Sequence, residues 1–231
     1  MWETITDAVP QLLAAGFKYT IPLAIVSFFF GLILALITAL IRMSKQGGVL
    51  MVVRWLFSFY VWLFRSTPLL VQLFIVFFGL PYLKIKGIAP DGIKLEPFFA
   101  GVLTFSLNTG AYASETLRSA ISSVPKEQWE AGAAIGMTQT QVFRRIILPQ
   151  ALRVAVPPLS NEFISLVKDT SLAASITIIE MFNVSQQIAA ENYQPLLMYS
   201  IVALIYAVFT TVLSYLQSYL ERVLNRQMNV N

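Results

Sequence analysis

The chain has 231 residues, of which 57% are hydrophobic and 12% are charged. A soluble domain carries about 25% charged residues, so this composition indicates a membrane protein rather than one folded in water. The chain contains no cysteine and no histidine, which excludes disulfides and thiolate metal sites and removes the commonest catalytic base. The net charge of +4 lies mainly in loops between apolar segments, a pattern typical of membrane topology rather than of nucleic-acid binding.

Five apolar segments predict transmembrane helices, because an isolated segment in lipid must satisfy its own backbone hydrogen bonds. They lie near residues 18–41, 54–81, 97–121, 154–178 and 195–220. Acidic residues precede the first segment and no cleavage site follows it, so it is expected to be retained rather than removed as a signal peptide. The fourth contains Glu162, Lys168 and Asp169 and is the least apolar of the five. The fold class is predicted as all-α, with residues 1–231 forming a single polytopic membrane domain.

Lysine and arginine are distributed unequally between the two sides of the membrane that these segments define. The 42–54 loop, residues 122–153 and the C-terminal tail hold most of them, whereas acidic residues offset the lysines on the other side. Because cytoplasmic loops carry an excess of lysine and arginine, the N-terminus is predicted outside and the C-terminus in the cytoplasm.

Residues 122–153, here called the corner segment, are predicted to form two short helices that meet at a glycine. Pro125 favours the start of the first helix, and Gly136 favours a left-handed cap at its end. Thr138 and Gln141 have the spacing of a capping box and predict the start of the second helix. Pro149 is expected to end that helix, because proline disrupts a helix interior.

The corner segment resembles the EAA loop of ABC importer permeases. Glu130-Ala131-Gly132 is followed after three residues by Gly136 and after nine more by Ile146-Ile147-Leu148-Pro149, which matches that loop except for Gly132 in place of its second alanine. The resemblance implies that the first short helix docks on a cytoplasmic ATPase. The implied coupling residues are Glu130, Ala131, Gly132, Gly136, Arg144, Leu148 and Pro149. The alternative is an amphipathic helix held on the lipid surface by Arg144 and Arg145.

Four further strings resemble the permeases of polar-amino-acid importers. They are Arg65 to Gln72, Ala111 to Glu115 with Arg118, Pro157 to Asn161, and Lys168 to Leu172. The last string, together with the proline pair, is similar to cystine permeases. The resemblance implies a bacterial cytoplasmic membrane location, an ATPase dimer that uses ATP and Mg, a second permease subunit that is identical or homologous, and an extracytoplasmic substrate-binding protein. The chain itself has no P-loop, so we expect a transport subunit with no cofactor and no nucleic-acid partner, not an enzyme.

Polar side chains within the apolar segments are candidates for a substrate pathway, since ionisable groups in a bilayer usually face a bundle interior or a watery cavity. Asn108, Tyr112 and Glu115 fall on one helical stripe. An amino acid needs a group for its ammonium, such as Glu115, and one for its carboxylate, such as Arg65 or Lys168. The candidate pathway residues are Arg65, Pro68, Gln72, Asn108, Tyr112, Glu115, Asn161, Lys168, Asp169, Thr170 and Ser171.

Structural alternatives stay open for these residues. Glu115 can pair with Arg118 on the same helix, Arg65 can extend to the membrane surface, and Lys168 with Asp169 can bond to neighbouring helices. For the whole chain, an ATP-independent secondary transporter or channel also stays open, although no internal repeat or pore-lining ring is evident. A membrane enzyme is a further alternative, for which paired carboxylates and metal-ligand motifs are lacking.

Overall fold

The computed structural model describes residues 2–44, 47–84 and 90–226. Within these ranges the chain forms ten α-helices and no strand, which confirms the all-α prediction. The helices are α1 (Trp2–Ala15), α2 (Ile21–Met43), α3 (Val49–Ser66), α4 (Leu69–Phe74), α5 (Pro97–Ser122), α6 (Lys126–Ala134), α7 (Gln139–Val142), α8 (Leu148–Asp169), α9 (Met181–Asn192) and α10 (Pro195–Arg226). Three π turns (Gly16–Thr20, Ile75–Gly79, Phe143–Ile147) and two 3-10 turns (Leu80–Tyr82, Thr170–Ile176) join some of them end to end.

Three described helical stretches are long and apolar enough to cross a membrane: Thr4–Met43, Val49–Ser66 and Pro195–Val223. The first, of 40 residues, joins α1 to α2 and begins well before the predicted segment 18–41. Helices α5 and α8 are not apolar enough to be counted with these three stretches, because small and polar residues lower their mean hydropathy. The total of five spans therefore stays a prediction.

Two of the predicted segments are not single helices. The segment 54–81 is interrupted at Thr67 and Pro68, where the backbone is extended between α3 and α4. The segment 154–178 begins inside α8 and continues into the 3-10 turn Thr170–Ile176. The first interruption follows from Pro68, since the residue before a proline is disfavoured in the helical region.

Helices α2 and α5 pack closely through small side chains. Ala24, Ser27, Gly31 and Ala35 are buried on α2. A side chain at Gly31 would place its Cβ 2.7 Å from Cγ2 of Thr109 on α5, so only glycine permits this approach. Small residues allow such contact between helices in lipid, where burial of apolar surface adds little.

The corner segment forms the first short helix as predicted and begins the second where predicted. Pro125 directly precedes α6, and Gly136 adopts a φ of +80°, so its left-handed cap is confirmed. The capping box is confirmed as well: the Thr138 backbone N–H donates to Gln141 Oε1 at 2.8 Å, and the Gln141 N–H donates to Thr138 Oγ1 at 3.3 Å.

The prediction that Pro149 ends the second helix is wrong. The chain passes from α7 through the π turn Phe143–Ile147 directly into α8, with Pro149 in the first turn of α8. Proline lacks an N–H and collides with the carbonyl four residues earlier. The wider π turn accommodates it, since the Leu148 N–H bonds to the carbonyl of Phe143, five residues back.

Candidate functional site

The break between α3 and α4 is held by a single buried side chain, Gln72. Its amide nitrogen donates to the carbonyls of Phe64 and Thr67 at 2.8 and 3.0 Å and to Thr67 Oγ1 at 2.9 Å. Its amide oxygen accepts from Asn108 Nδ2 at 2.9 Å. Gln72 is 7% exposed, so it supports the wall of the neighbouring cavity and orients Asn108 without lining the cavity itself.

A cavity of about 500 Å³ lies between this break, α5 and α8. Five of the candidate residues line it: Pro68, Asn108, Tyr112, Asn161 and Asp169. An adjoining cavity of about 570 Å³ shares Tyr112 with the first and adds Arg65 and Glu115. The stripe predicted on α5 therefore faces cavities along its length. We call the two cavities together the polar groove.

Glu162 lines both cavities of the polar groove, although sequence analysis had noted it only as an interruption of an apolar segment. Its Oε1 is buried without a hydrogen-bond partner among the described residues. A signal was present in the sequence, because Glu162, Ser165 and Asp169 recur at three- and four-residue spacing and so share a helix face. All three line the first cavity.

Glu115 is bound by two arginines. Arg42, at the end of α2, donates to its Oε2 at 2.8 Å, and Arg118 donates from Nε to its Oε1 at 2.8 Å. The structural alternative of an Arg118 pair is therefore observed, with a second partner that the sequence did not suggest. Because both carboxylate oxygens are occupied, Glu162 is better placed than Glu115 to meet an ammonium group.

Arg65 borders the polar groove beside Tyr112. The guanidinium carbon lies 5.4 Å from the centre of the Tyr112 ring, and the Tyr112 hydroxyl donates to the Arg65 carbonyl at 3.4 Å. A cation over an aromatic face is attracted to it, which holds the guanidinium in place. Arg65 is thus placed to meet a carboxylate.

Besides Gln72, three candidate residues do not reach the polar groove. Lys168 and Ser171 line a separate cavity of about 470 Å³ against α9 and α10, and the hydroxyl of the buried Thr170 donates to the Val167 carbonyl at 2.7 Å. Asp169 does reach the groove. Successive helical residues point about 100° apart, so Lys168 and Asp169 face different cavities from the end of α8.

Helix α6 of the corner segment exposes one face and buries one residue. Glu130, Ala131, Ala133 and Ala134 are exposed, and Ile135 after them is 77% exposed. Gly132 is buried: a Cβ there would lie 2.7 Å from Val142 Cγ2. The departure from the E-A-A pattern is therefore explained by contact with the second helix.

The corner segment is part of the same core as the helices around the polar groove. Val142, Ile147 and Ala151 are buried in one cluster with Ala113 and Leu117 of α5. The Trp129 and Phe143 rings, 6.2 Å apart and nearly parallel, join α6 to the π turn. Of the other coupling candidates, Arg144 and Pro149 are exposed and Leu148 is half-buried. Helix α6 is thus connected to the helices around the polar groove through packed side chains.

The described residues contain no group of three or more histidine, cysteine or acidic side chains that could hold a metal ion. What the site offers is hydrogen-bonding and charged groups along a groove.

Residues 48–226 match the family described as binding-protein-dependent transport system inner membrane component. The chain is 51% identical over 217 residues to the L-cystine transport system permease protein TcyB of Bacillus subtilis (strain 168), covering 94% of this chain and 88% of that protein. It is 35% identical over 215 residues to the glutamine transport system permease protein GlnP of Escherichia coli (strain K12), covering 93% of each.

Solved structures show the same relationship. A chain of an amino acid ABC transporter crystallised with histidines superposes with a TM-score of 0.86 at 30% identity, covering 96% of this chain and 98% of that one. A chain of the MetNI methionine ABC transporter in an inward-facing conformation superposes with a TM-score of 0.72 at 21% identity, which shows a shared fold. The resemblance noted in the sequence is confirmed: the chain belongs to the binding-protein-dependent inner membrane components, among the amino-acid ABC permeases, and is a transport subunit rather than an enzyme.

Proposed function

We propose that this chain forms half of the pathway of an ATP-driven importer for a polar amino acid, with cystine as the specific candidate. Residues 122–153 couple that pathway to a cytoplasmic ATPase. The observation that carries the proposal is the common core of the corner segment and the groove-lining helices, in which Val142 and Ile147 pack with Ala113 and Leu117. Movement of α6 by a partner would therefore move the walls of the groove.

The charges along the groove suit a zwitterion. Glu162 and Asp169 offer carboxylates for an ammonium, while Arg65 offers a guanidinium for a carboxylate. Asn108 and Asn161 add amide groups that accept or donate. Cystine carries both charges at each end, and the relative that is 51% identical is named for L-cystine transport.

The transporter is completed by partners. A second permease, identical or homologous, closes the open side of the groove across a twofold or pseudo-twofold axis, and each permease binds one subunit of the ATPase dimer. ATP and Mg are held by the ATPase, and a substrate-binding protein delivers the amino acid from outside. Closure of the ATPase dimer draws the two corner segments together and shifts the population from inward-facing to outward-facing.

Reconstitution tests the coupling. We expect Glu130→Arg and Gly136→Val to abolish ATP-driven uptake in proteoliposomes that contain the ATPase and the binding protein, with membrane insertion intact. Glu130 is exposed on α6, and Gly136 has a φ of +80° that a β-branched residue resists. Glu191→Arg, an exposed acidic residue at the end of α9, is the matched control and should retain uptake.

The same preparation separates the alternatives. Full uptake by the Glu130→Arg variant would refute the docking role of α6. Uptake by the permease alone, without an ATPase, would favour an ATP-independent transporter or channel instead.

A further inference from the structure

A third polar cavity lies beside the polar groove, between α2, α3 and α5. Its volume is about 410 Å³, and its polar lining consists of Arg42, Arg65, Ser58 and Ser66 together with Tyr112. No acidic residue lines it. A cavity in a membrane protein that presents two guanidinium groups and two hydroxyls favours a negatively charged occupant.

Positive charge exceeds negative charge around this cavity. Arg42 and Arg118 share the single carboxylate of Glu115. Arg65 forms no salt bridge among the described residues, although Glu162 borders the adjoining cavity with it. Two arginines on one carboxylate, with a third beside them, leave an excess of positive charge around the cavity.

The guanidinium groups are held in position before any ligand arrives. Arg65 lies over the Tyr112 ring at 5.4 Å, and Arg42 is fixed by its 2.8 Å contact with Glu115. A guanidinium has five N–H donors in a planar fork, so one contact leaves donors available for a second partner. Arginine at such a site favours carboxylate or phosphate, which it binds through two parallel hydrogen bonds.

We propose that the cavity between α2, α3 and α5 is an oxyanion site, in which Arg42, Arg65 and the hydroxyls of Ser58 and Ser66 bind a carboxylate or a phosphate. Binding of a lipid phosphate here is independent of the proposed function, whereas binding of an amino-acid carboxylate rests on it, because Arg65 is the group proposed above to meet the carboxylate of the transported amino acid. Two sources supply the same chemistry: the phosphate of an anionic lipid, which basic pockets between helices can bind, and the carboxylate of a soluble amino acid.

Binding to the purified full-length protein tests the proposal. Native mass spectrometry measures retention of phosphatidylglycerol against phosphatidylcholine, and thermal-shift titration measures binding of inorganic phosphate and of cystine. We expect Arg65→Gln and Arg42→Gln each to weaken binding by about tenfold or more, for whichever of these anionic probes binds the unmodified protein. The reason is that a hydrogen bond to a charged group contributes more to binding than a hydrogen bond between neutral groups. Arg65→Lys should weaken it less, since the charge remains but the fork is lost.

Two further variants keep the test decisive if loss of an arginine prevents folding. Ser58→Leu fills the cavity without removing charge and should also abolish binding. Arg54→Gln removes an arginine from the same helix that does not line the cavity, and it should leave binding unchanged.

Selective retention of phosphatidylglycerol would assign the site to a lipid phosphate, and a response to cystine or phosphate alone would assign it to a soluble oxyanion. The proposal is overturned if none of the anionic probes binds, if phosphatidylcholine binds equally, or if Ser58→Leu and the arginine variants bind as the unmodified protein does.

Discussion

Gly132 shows how one residue can depart from a family pattern without loss of the structure. It stands where the EAA pattern has its second alanine, and glycine weakens a helix by about 1 kcal/mol relative to alanine. Glycine fits at this position because α6 lies so close to Val142 that a Cβ would be 2.7 Å from a Val142 methyl group. The two positions are therefore expected to depend on one another.

A double-mutant cycle tests that dependence. Gly132→Ala alone should lower the free energy of unfolding by about 1 kcal/mol, because overpacking costs more than the gain in helix propensity. Val142→Ala in the same chain should relieve the contact, so that the combined loss is smaller than the sum of the two single losses. Thermal unfolding in detergent and ATP-driven uptake are the measurements.

The control for this cycle is Gly47→Ala, because no atom lies within 4 Å of the Cβ that it would add. It should leave stability unchanged. Additive effects of Gly132→Ala and Val142→Ala would contradict the proposed contact.

Gln72 is a second residue whose importance follows from its contacts rather than from its charge. Gln72→Leu would leave the Phe64 and Thr67 carbonyls without their side-chain donor, at a cost of about 1–3 kcal/mol for a buried group left unsatisfied. It would also free Asn108. We expect lower thermal stability together with reduced uptake, whereas Gln187→Leu, which removes an exposed amide bonded to Asn183, should change neither. Normal stability of Gln72→Leu would show that the break needs no such support.

At the scale of elements, the main feature is the continuous helix from the corner segment into α8. A helix that ended at Pro149 would leave a flexible joint between the corner and the membrane. The π turn Phe143–Ile147 instead joins α7 to α8 without an intervening loop. Single π turns within α-helices are frequently found at functional sites.

Pro149→Ala tests the role of this turn. Without the proline, the turn can return to α-helical hydrogen bonding, and a shift of one residue would rotate α6 relative to α8 by roughly 100°. We expect the protein to fold and the ATPase to remain active while amino-acid uptake per ATP falls. Pro195→Ala, at the start of α10, is the matched control and should leave this ratio unchanged. An unchanged ratio in Pro149→Ala would show that the proline does not set the coupling geometry.

At the scale of the whole molecule, α1 and α2 form one helical stretch, Thr4–Met43, of 40 residues. Its N-terminal half packs with α9 and α10 in one cluster that includes Leu12, Met181 and Met198. Its other half packs with α5 and the corner segment through Ala35 and Ala39. The stretch thus connects the two ends of the protein, which is consistent with a transport subunit that changes conformation as a unit.

The orientation of the chain in the membrane is testable because the protein has no cysteine. Gln194→Cys, exposed between α9 and α10, should react with a membrane-impermeant maleimide in intact cells. Ala134→Cys, exposed on α6, should react only after permeabilisation, because the excess of lysine and arginine predicts a cytoplasmic corner segment. The reverse labelling pattern would invert the topology and refute docking of the corner on a cytoplasmic ATPase.

Local signals in the sequence were sufficient for the bounds of α6 and the start of α7 in the corner segment, but not for the helix end expected at Pro149. Pro125, Gly136 and the Thr138–Gln141 pair act on backbone groups within a few residues of themselves, so their effect does not depend on the rest of the fold. The apolar segments likewise identified a membrane protein, and the spacing of the EAA-like residues identified the family. The single domain and the third and fourth spans remain predictions.

Only the tertiary structure decided which polar side chains share a cavity. The side that a residue faces depends on how each helix is rotated against its neighbours, which is set by contacts far apart in sequence, such as Gly31 with Thr109. That packing separated Lys168 from Asp169, paired Glu115 with Arg42 and turned Glu162 into the groove. The sequence by itself determined the all-α class and the family, while long-range packing determined which side chains line the polar groove.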